Sequence, residues 1–462
     1  MWGLTMAGAM GRVRRDMPTV SWPLLALVVL GCGGPSHPAP APTPAPAPVP
    51  VVSEAPRPVA RPPAPPADPR LAEDVASFDA MWTKIDQTFW DPKAVDWARV
   101  KTELRPRVLA SKDRDETREI MREALKRLGR SHFALWSTAP EPEGARGEGD
   151  PGIEVRILDG KAIVTRVELG SPAATAKVQL GDEVAMVGEV DVAAKLATLA
   201  KTLAGNSLAP LYEVRSIAGL LSGEEGTKVA VKLVRGGKRV ALELPRARIG
   251  RLVTLGNLGM EPLIYEARLL EPDVLYIRLS IFLDPGTVMP QIAKDLVGSP
   301  KVKGIIFDLR GNPGGIGGMA MGIAGDLVTA AGKKLGTMTM RANKLDFVVN
   351  PQVQHYDGKL AVLIDPLSAS TSEILAAGLQ ELHRGKVFGR TTAGAALPSV
   401  IEMLPNGDRL QYAIADYQTA SGKELEGNGV TPDVPVELDL KTLRAGKDPD
   451  IVAATRWIKE KP

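Results

Sequence analysis

Residues 302–318 read V-K-G-I-I-F-D-L-R-G-N-P-G-G-I-G-G, and residues 360–373 read L-A-V-L-I-D-P-L-S-A-S-T-S-E. Each is a short apolar run, then a Gly- or Ser-rich turn, then a helical pattern. That grammar is the one of parallel strands feeding helices through tight loops. In such sheets ligands and reacting groups collect at the carboxyl ends of the strands, where both turns would lie. Ser370, at the mouth of the second turn, is the candidate nucleophile. Ser370-Thr371-Ser372-Glu373 is also S-x-x-E, a capping box, so the serine can equally be read as closing the first turn of a helix. Position favours chemistry, because a serine between a buried strand and a helix N-terminus lies beside backbone N–H groups that can hold an oxyanion.

Outward from these stretches the pattern predicts strands at 274–282, 302–308, 360–365 and 386–388, with helices at 288–296, 319–327 and 373–382. An α/β core over 255–445 follows, with a packed helix in 446–462. Asp308, Arg310 and Asn312 read as braces of the Gly-rich turn. Upstream, Leu71, Val75, Phe78, Trp82, Ile85 and Phe89 recur at three- and four-residue steps, one face of a helix. Asp96 and Asp113 can cap two more helices, and Gly129 can stop the last. Arg130-Ser131-His132-Phe133 follows at once, closing a helical domain placed at 70–140.

Residues 152–188 read G-I-E-V-R-I-L-D-G-K-A-I-V-T-R-V-E-L-G-S-P-A-A-T-A-K-V-Q-L-G-D-E-V-A-M-V-G. Two alternating strands precede a small-residue helix at 171–176, a Gly181-Asp182 turn and a further strand. A hairpin at 229–244, turning at Gly236-Gly237, would complete a β-domain over 146–248.

The chain is long enough, at 462 residues, for several cores. A net charge of +3 leaves no footprint for nucleic acid. With one cysteine, Cys32, neither an internal disulfide nor a cysteine metal site can form. Four scattered histidines show no metal-ligand spacing, so no metal or organic cofactor is expected. His355 and His383 read as structural, with His383 a reserve base, and His37 lies in a Pro/Ala tract.

Arg12, Arg14 and Arg15 precede an apolar stretch at 18–30 that is short for a bilayer span, so residues 1–31 read as an export signal. Val29-Leu30-Gly31-Cys32 resembles the lipobox of bacterial lipoproteins, which implies cleavage before Cys32 and its acylation. An ordinary secretory signal is the alternative. Gly33 after the cysteine favours the outer membrane, with the protein facing the periplasm. The Pro/Ala tract that follows, 32–69 with its lipid-bearing start, should be a stiff polyproline tether reaching on the order of 100 Å.

The β-domain resembles a PDZ domain of bacterial protease type, on the G-S-P-A-x-x-A piece at 170–176 and L-G-D-E-V at 180–184. The resemblance implies an extended chain end added as a strand, at a loop matched by Gly152, Ile153, Glu154 and Val155. Helical residues in 190–226 exceed those of the smallest PDZ domains. With this module in front, D-L-R-G-N-P-G-G (308–315), S-A-S-T-S-E (368–373), G-R-T-T-A-G (389–394) and E-G-N-G-V-T-P-D (426–433) are similar to the tail-specific or C-terminal processing serine proteases and their tricorn-core relatives. The similarity covers roughly 70–460 and implies an α/β + β protein whose core is of ClpP/crotonase type.

The better-known members use a lysine in T-F-G-K-G. Here 391–396 read T-T-A-G-A-A, with Ala395 in the lysine's place, so the Ser-Lys dyad is absent. The tricorn-like branch implies instead a relay from Ser370 to His132, Ser131 and Glu426, with Glu424 as runner-up for the acid. It implies oxyanion donors at the N–H of Thr371 and of Gly314 or Gly315. The expected function is a serine endopeptidase acting on exported or unfolded polypeptides. The alternative is a family member without activity that binds peptides or other ligands, and an enoyl-hydratase-like lyase ranks last.

Overall fold

The structure is a computed structural model that describes residues 68–137, 148–206, 208–298 and 302–460. The export signal, Cys32, His37 and the tether before Asp68 lie outside the described residues. The described residues belong to one compact unit.

Three helices come first. α1 (Pro69–Thr88) buries Val75, Phe78, Met81 and Ile85. α2 (Trp97–Leu109) and α3 (Arg114–Lys126) begin at Asp96 and Asp113, whose carboxylates accept the N–H of Arg99 and Glu116 as predicted. Gly129 turns the chain at φ +62°, and β1 (Ala134–Trp136) follows.

The middle module runs β2 (Gly149–Asp150), β3 (Ile153–Leu158), β4 (Lys161–Val167), α4 (Pro172–Thr175), β5 (Glu183–Val187), β6 (Val190–Asp191), α5 (Val192–Thr202), α6 (Ala209–Leu221), β7 (Lys228–Arg235), β8 (Lys238–Pro245) and β9 (Ala247–Arg248). Its sheet has the order β3-β4-β5-β7-β8, with β3 on one edge. The β7–β8 hairpin turns at Gly236 and Gly237 with φ +54° and +82°, the left-handed pair a two-residue turn demands. α5 and α6 are the additional helical residues expected in 190–226, and Leu196 and Ile217 tuck into the module's core.

The last region holds β10 (Arg251–Leu255), β11 (Leu258–Leu263), β12 (Tyr265–Glu271), β13 (Val274–Leu279), α7 (Pro285–Val297), β14 (Gly304–Asp308), α8 (Gly317–Gly325), β15 (Lys334–Met340), β16 (Lys344–Val348), β17 (Lys359–Ile364), α9 (Thr371–Glu381), β18 (Lys386–Gly389), β19 (Ser399–Met403), β20 (Arg409–Ala413), β21 (Ala415–Thr419), β22 (Val434–Pro435), α10 (Leu440–Arg444) and α11 (Pro449–Lys459). One sheet, β12-β13-β14-β17-β18-β22, is parallel from β13 onward. Successive strand residues point to opposite faces. Leu275, Ile277, Phe307 and Val362 therefore meet α7, α8 and α9, while Tyr276, Ile306 and Leu363 meet α11. β14 and β17 are neighbours with Asp308 opposite Leu363, so the two quoted turns emerge side by side.

The sequence pattern passed over two small antiparallel sheets, β16-β15-β21 and β1-β20-β19. The second decides the site, because Ala134 pairs with Gln411 and draws the loop after α3 onto the core. Two arginines of α3 reinforce that docking, Arg118 paired with Asp408 at 2.8 Å and Arg114 donating to the Asn406 carbonyl at 3.3 Å. The middle module is keyed in similarly, through Arg156 on Asp365 at 2.5 Å, Arg166 on Asp308 at 2.8 Å and Arg278 on Glu168 at 2.6 Å.

Candidate active site

Two loops at the carboxyl ends of β14 and β17 are laced together by side chains. Asp365 accepts the Gly311 N–H at 2.9 Å and the Leu367 N–H at 3.1 Å. The Asn312 carbonyl accepts the Ala369 N–H and the Ser372 hydroxyl, both at 3.0 Å. Asn312 Nδ2 donates to the Leu279 carbonyl at 2.8 Å. Asp308 is enclosed by Arg166, Arg310 and the Tyr276 hydroxyl. Asp308, Arg310 and Asn312 thus brace the turn, as the sequence suggested.

Ser370 sits at φ 56° and ψ −119°, where a residue with a side chain is strained by about 1–3 kcal/mol. Its neighbours hold it there. The Ser370 N–H donates to the Ala395 carbonyl at 2.8 Å and to Glu373 Oε2 at 3.0 Å. Glu373 therefore does cap the start of α9, yet Ser370 is no ordinary cap. Asp113, which is one, lies at φ −148° in extended backbone.

Glu373 is a hub that the sequence offered only as part of the S-x-x-E pattern. It is fully buried, and Oε1 accepts the Thr392 hydroxyl at 2.6 Å and the Gly394 N–H at 2.8 Å. Oε2 accepts the Ala395 N–H at 2.9 Å besides that of Ser370. Burial, opposed by these bonds, pushes its carboxyl up to about 7.

Gly314 and Gly315 adopt φ +100° and +133°. A Cβ on Gly314 would lie 2.6 Å from Ser370 Cβ and 2.9 Å from Thr371 N; one on Gly315 would lie 2.3 Å from the Phe282 carbonyl oxygen. Only glycine fits either place. The Gly314 N–H is already donated to Asn312 Oδ1 at 2.8 Å, which corrects the expectation that it could serve an oxyanion. The N–H groups of Gly315 and Thr371 are the remaining donors of the expected set.

From the helical region, Ser131 Oγ meets His132 Nδ1 at 2.7 Å and donates to Glu426 Oε2 at 2.8 Å. The Ser131 N–H donates to Glu426 Oε1 at 2.7 Å, and the Ala396 N–H reaches Oε2 at 3.3 Å. Glu426 is buried and holds Ser131, while Glu424 is exposed. Burial raises the Glu426 carboxyl, with its bonds to Ser131 pulling the other way. His132, partly buried at φ 60°, is held at about 4 by burial and by the charge of Arg215 on α6. His132 and Ser370 share no hydrogen bond in this conformation. The two arms meet through neighbouring residues, since Ala395 holds Ser370 and Ala396 holds Glu426.

The other expectations sort differently. His383 lies past the far end of α9, whose 11 residues put it about 16 Å from Ser370, out of reach as a base. His355 is exposed, near the Gln352 carbonyl. At the expected peptide loop, the Gly152 N–H is taken by Asp150 Oδ1 at 2.6 Å, and the Glu154 carboxylate turns to Arg278 and Arg166 of the docking face. Ile153 and Val155 are buried in the module's core. Among the described residues no cluster of His, Cys, Asp and Glu could hold a metal ion.

A parallel-sheet core with a strained serine at a strand-to-helix turn, flanked by glycine N–H groups and a Glu–Ser–His arm, has the layout of a serine peptidase. Residues 273–436 match peptidase family S41, and residues 72–126 match the tricorn protease C1 domain. The first match falls on the parallel-sheet core with both turns, and the second on the three helices that open the described chain.

Among similar proteins, the carboxy-terminal-processing protease of Bartonella bacilliformis is 27% identical over 317 residues, covering 66% of this chain and 65% of that one. The carboxy-terminal processing protease CtpA of Bacillus subtilis is 24% identical over 290 residues, covering 62% and 56%. The chain thus spans less than two thirds of the length of either relative. In fold, it resembles the photosystem II D1 C-terminal processing protease, with TM-score 0.53, 22% identity and coverage of 84% and 98%. It also resembles mature CPAF, with TM-score 0.56, 13% identity and coverage of 84% and 97%.

Proposed function

We propose that this protein is a serine endopeptidase that cleaves extended or unfolded polypeptides through an acyl-enzyme on Ser370. The observation that carries the proposal is the arm Glu426–Ser131–His132, assembled from two distant segments beside a strained serine on a third. In the reaction His132 Nε2 removes the Ser370 hydroxyl proton as Oγ bonds to the scissile carbonyl carbon. The tetrahedral oxyanion is received by the N–H groups of Gly315 and Thr371. The imidazolium then protonates the departing amine, the C–N bond breaks, and water repeats the sequence to free Ser370. Ser131 and Glu426 fix the ring's tautomer and stabilise its charged form.

The middle module serves as a PDZ-type reader that takes a chain end along β3, its edge strand. The basic and apolar leader and the Leu30-Gly31-Cys32 stretch support a lipid anchor in the cell envelope, on the periplasmic side of the outer membrane. A second reading is recognition without hydrolysis, favoured by Ala395 in the lysine's place and by the hydrogen bond that Ser370 and His132 do not make. Purified protein incubated with an unfolded substrate protein decides between them. Cleavage that disappears in both Ser370→Ala and His132→Ala is the expected result. Cleavage that survives both overturns the assignment, and no cleavage together with retained peptide binding supports the second reading.

A further inference from the structure

Asp450 is the second residue of α11, a place where any acid helps a helix begin. The helix has a cap without it. Asp448 already accepts the N–H groups of Asp450 and Ile451, at 3.0 and 3.3 Å. The Asp450 side chain is fully buried, and its carboxylate turns to two arginines of other elements. Oδ2 accepts from Arg310 Nη1 at 2.7 Å and from Arg390 Nη2 at 3.0 Å, and Oδ1 from Arg390 Nη1 at 3.2 Å.

The two arginines come from strands on either side of β17. Arg310 lies two residues past β14 and opens the turn that leads to Gly314 and Gly315. Arg390 follows β18 directly and opens the segment that carries Thr392, Gly394 and Ala395. That segment holds Ser370 through the Ala395 carbonyl, and Glu373 through all three residues. The sheet order β14-β17-β18 sets the Ser370 loop between them. Asp308 and Asp448 share Arg310, and the Val436 carbonyl shares Arg390. Among the described residues only Asp450 is bonded to both. Its helix is fixed in turn, with Ala454 and Ile458 packed in one cluster with Tyr276, Ile306 and Leu363 of the sheet.

Resting on Ser370 as the nucleophile, we infer that Asp450 is a positioning residue, which bridges Arg310 and Arg390 and so fixes the Gly turn against the segment that holds the serine. It touches no reacting atom. A scissile carbonyl must meet Ser370 Oγ and the N–H groups of Gly315 and Thr371 at once. Movement of one arm against the other therefore slows acylation more than it weakens binding.

The test compares wild-type full-length protein with Asp450→Asn and with the double variant Asp450→Asn/Arg390→Gln. Steady-state cleavage of fluorescein-labelled casein, the rate at which a fluorophosphonate labels Ser370, and thermal melting are followed in each. Asparagine keeps the volume but turns an NH₂ toward one guanidinium and leaves a buried positive charge in excess. In Asp450→Asn, kcat should fall about tenfold or more with KM within about twofold, and labelling should slow by the same factor. Arg390→Gln removes the excess charge, so the double variant should regain most of the lost melting temperature while kcat and labelling stay low. Wild-type rates in Asp450→Asn overturn the inference. Rates that return with the melting temperature in the double variant also overturn it, since Asp450 then serves stability alone, as does a loss confined to KM. Wild-type protein that neither cleaves nor is labelled refutes the nucleophile, and this inference with it.

Discussion

The carboxylate of Glu426 accepts both hydrogen bonds that Ser131 directs at it, the N–H at 2.7 Å and the hydroxyl at 2.8 Å, across 295 residues of sequence. Ser131 Oγ is in turn 2.7 Å from His132 Nδ1. The serine therefore stands between acid and imidazole, and the tautomer with Nε2 free to accept a proton depends on it. Ser131→Ala keeps the backbone bond to Glu426 but removes the orienting hydroxyl. It is expected to lower kcat by about 10²- to 10⁴-fold with little change in KM, and Glu426→Gln to do the same. Steady-state kinetics on a peptide substrate checks both. A matching rise in KM would assign them to binding.

The imidazole carries a second prediction. Burial and Arg215 hold His132 at about 4, below the ordinary value of 6.5. The fold thus favours the neutral ring, so its contribution to stability is complete above the unfolded value and is lost as pH falls through about 4. Replacing Arg215 by Gln removes the cation and should move the ring's titration upward. NMR of histidine-labelled protein, with only four histidines in the chain, reads this directly.

Glu373 behaves in the opposite sense. Its folded value near 7 lies above the ordinary 4.5, so its contribution is present below the unfolded value and is lost as pH rises toward 7. All four of its partners are donors: the Thr392 hydroxyl and the N–H groups of Ser370, Gly394 and Ala395. In Glu373→Gln an amide NH₂ must face donors whichever way it turns. Loss of activity by at least about 10²-fold is expected, with stability lowered by about 1–3 kcal/mol. The difference in melting temperature between wild type and variant should shrink as pH rises from about 4.5 to 7.

The parallel sheet and its two turns were legible because a fully buried strand is an apolar run and a turn with φ > 0 must draw on glycine, as at 304–315. The caps at Asp96 and Asp113 were legible because that bond is local. His132 could be named from its motif, but nothing nearby in sequence shows that β1 pairs with β20 and brings it to the core. Gly314 was misassigned as a possible donor because the Asn312 bond that occupies it depends on a side-chain rotamer. Asp450 was invisible, since the two arginines that reach it lie on other elements.

Space alone makes a further prediction at the Gly turn. Gly315→Ala brings a methyl to 2.3 Å from the Phe282 carbonyl oxygen at φ +133°, and Gly314→Ala brings one to 2.6 Å from Ser370 Cβ. Both must shift the loop away from Ser370. Activity should become undetectable in each, while far-UV circular dichroism stays that of wild type, because the sheet beneath is untouched.

The last prediction concerns how the middle module reaches the chemistry. Arg156 of β3 donates through Nε to Asp365 Oδ2 at 2.5 Å, and Oδ1 of the same carboxylate holds the N–H groups of Gly311 and Leu367. Burial alone would raise that carboxyl; Arg156 and Arg390 more than offset this and keep it below the ordinary value. Arg156→Met leaves a fully buried carboxylate short of its partner, which costs about 3–5 kcal/mol and loosens both loops. Asp365→Asn added to it removes the orphaned charge while its carbonyl still accepts from Gly311 and Leu367. The double variant should regain more than half of the lost stability in urea titration, a coupling that independent sites would not show. If activity returns with stability, the arginine acts by balancing charge. If stability returns without activity, the guanidinium itself sets the position of the two loops.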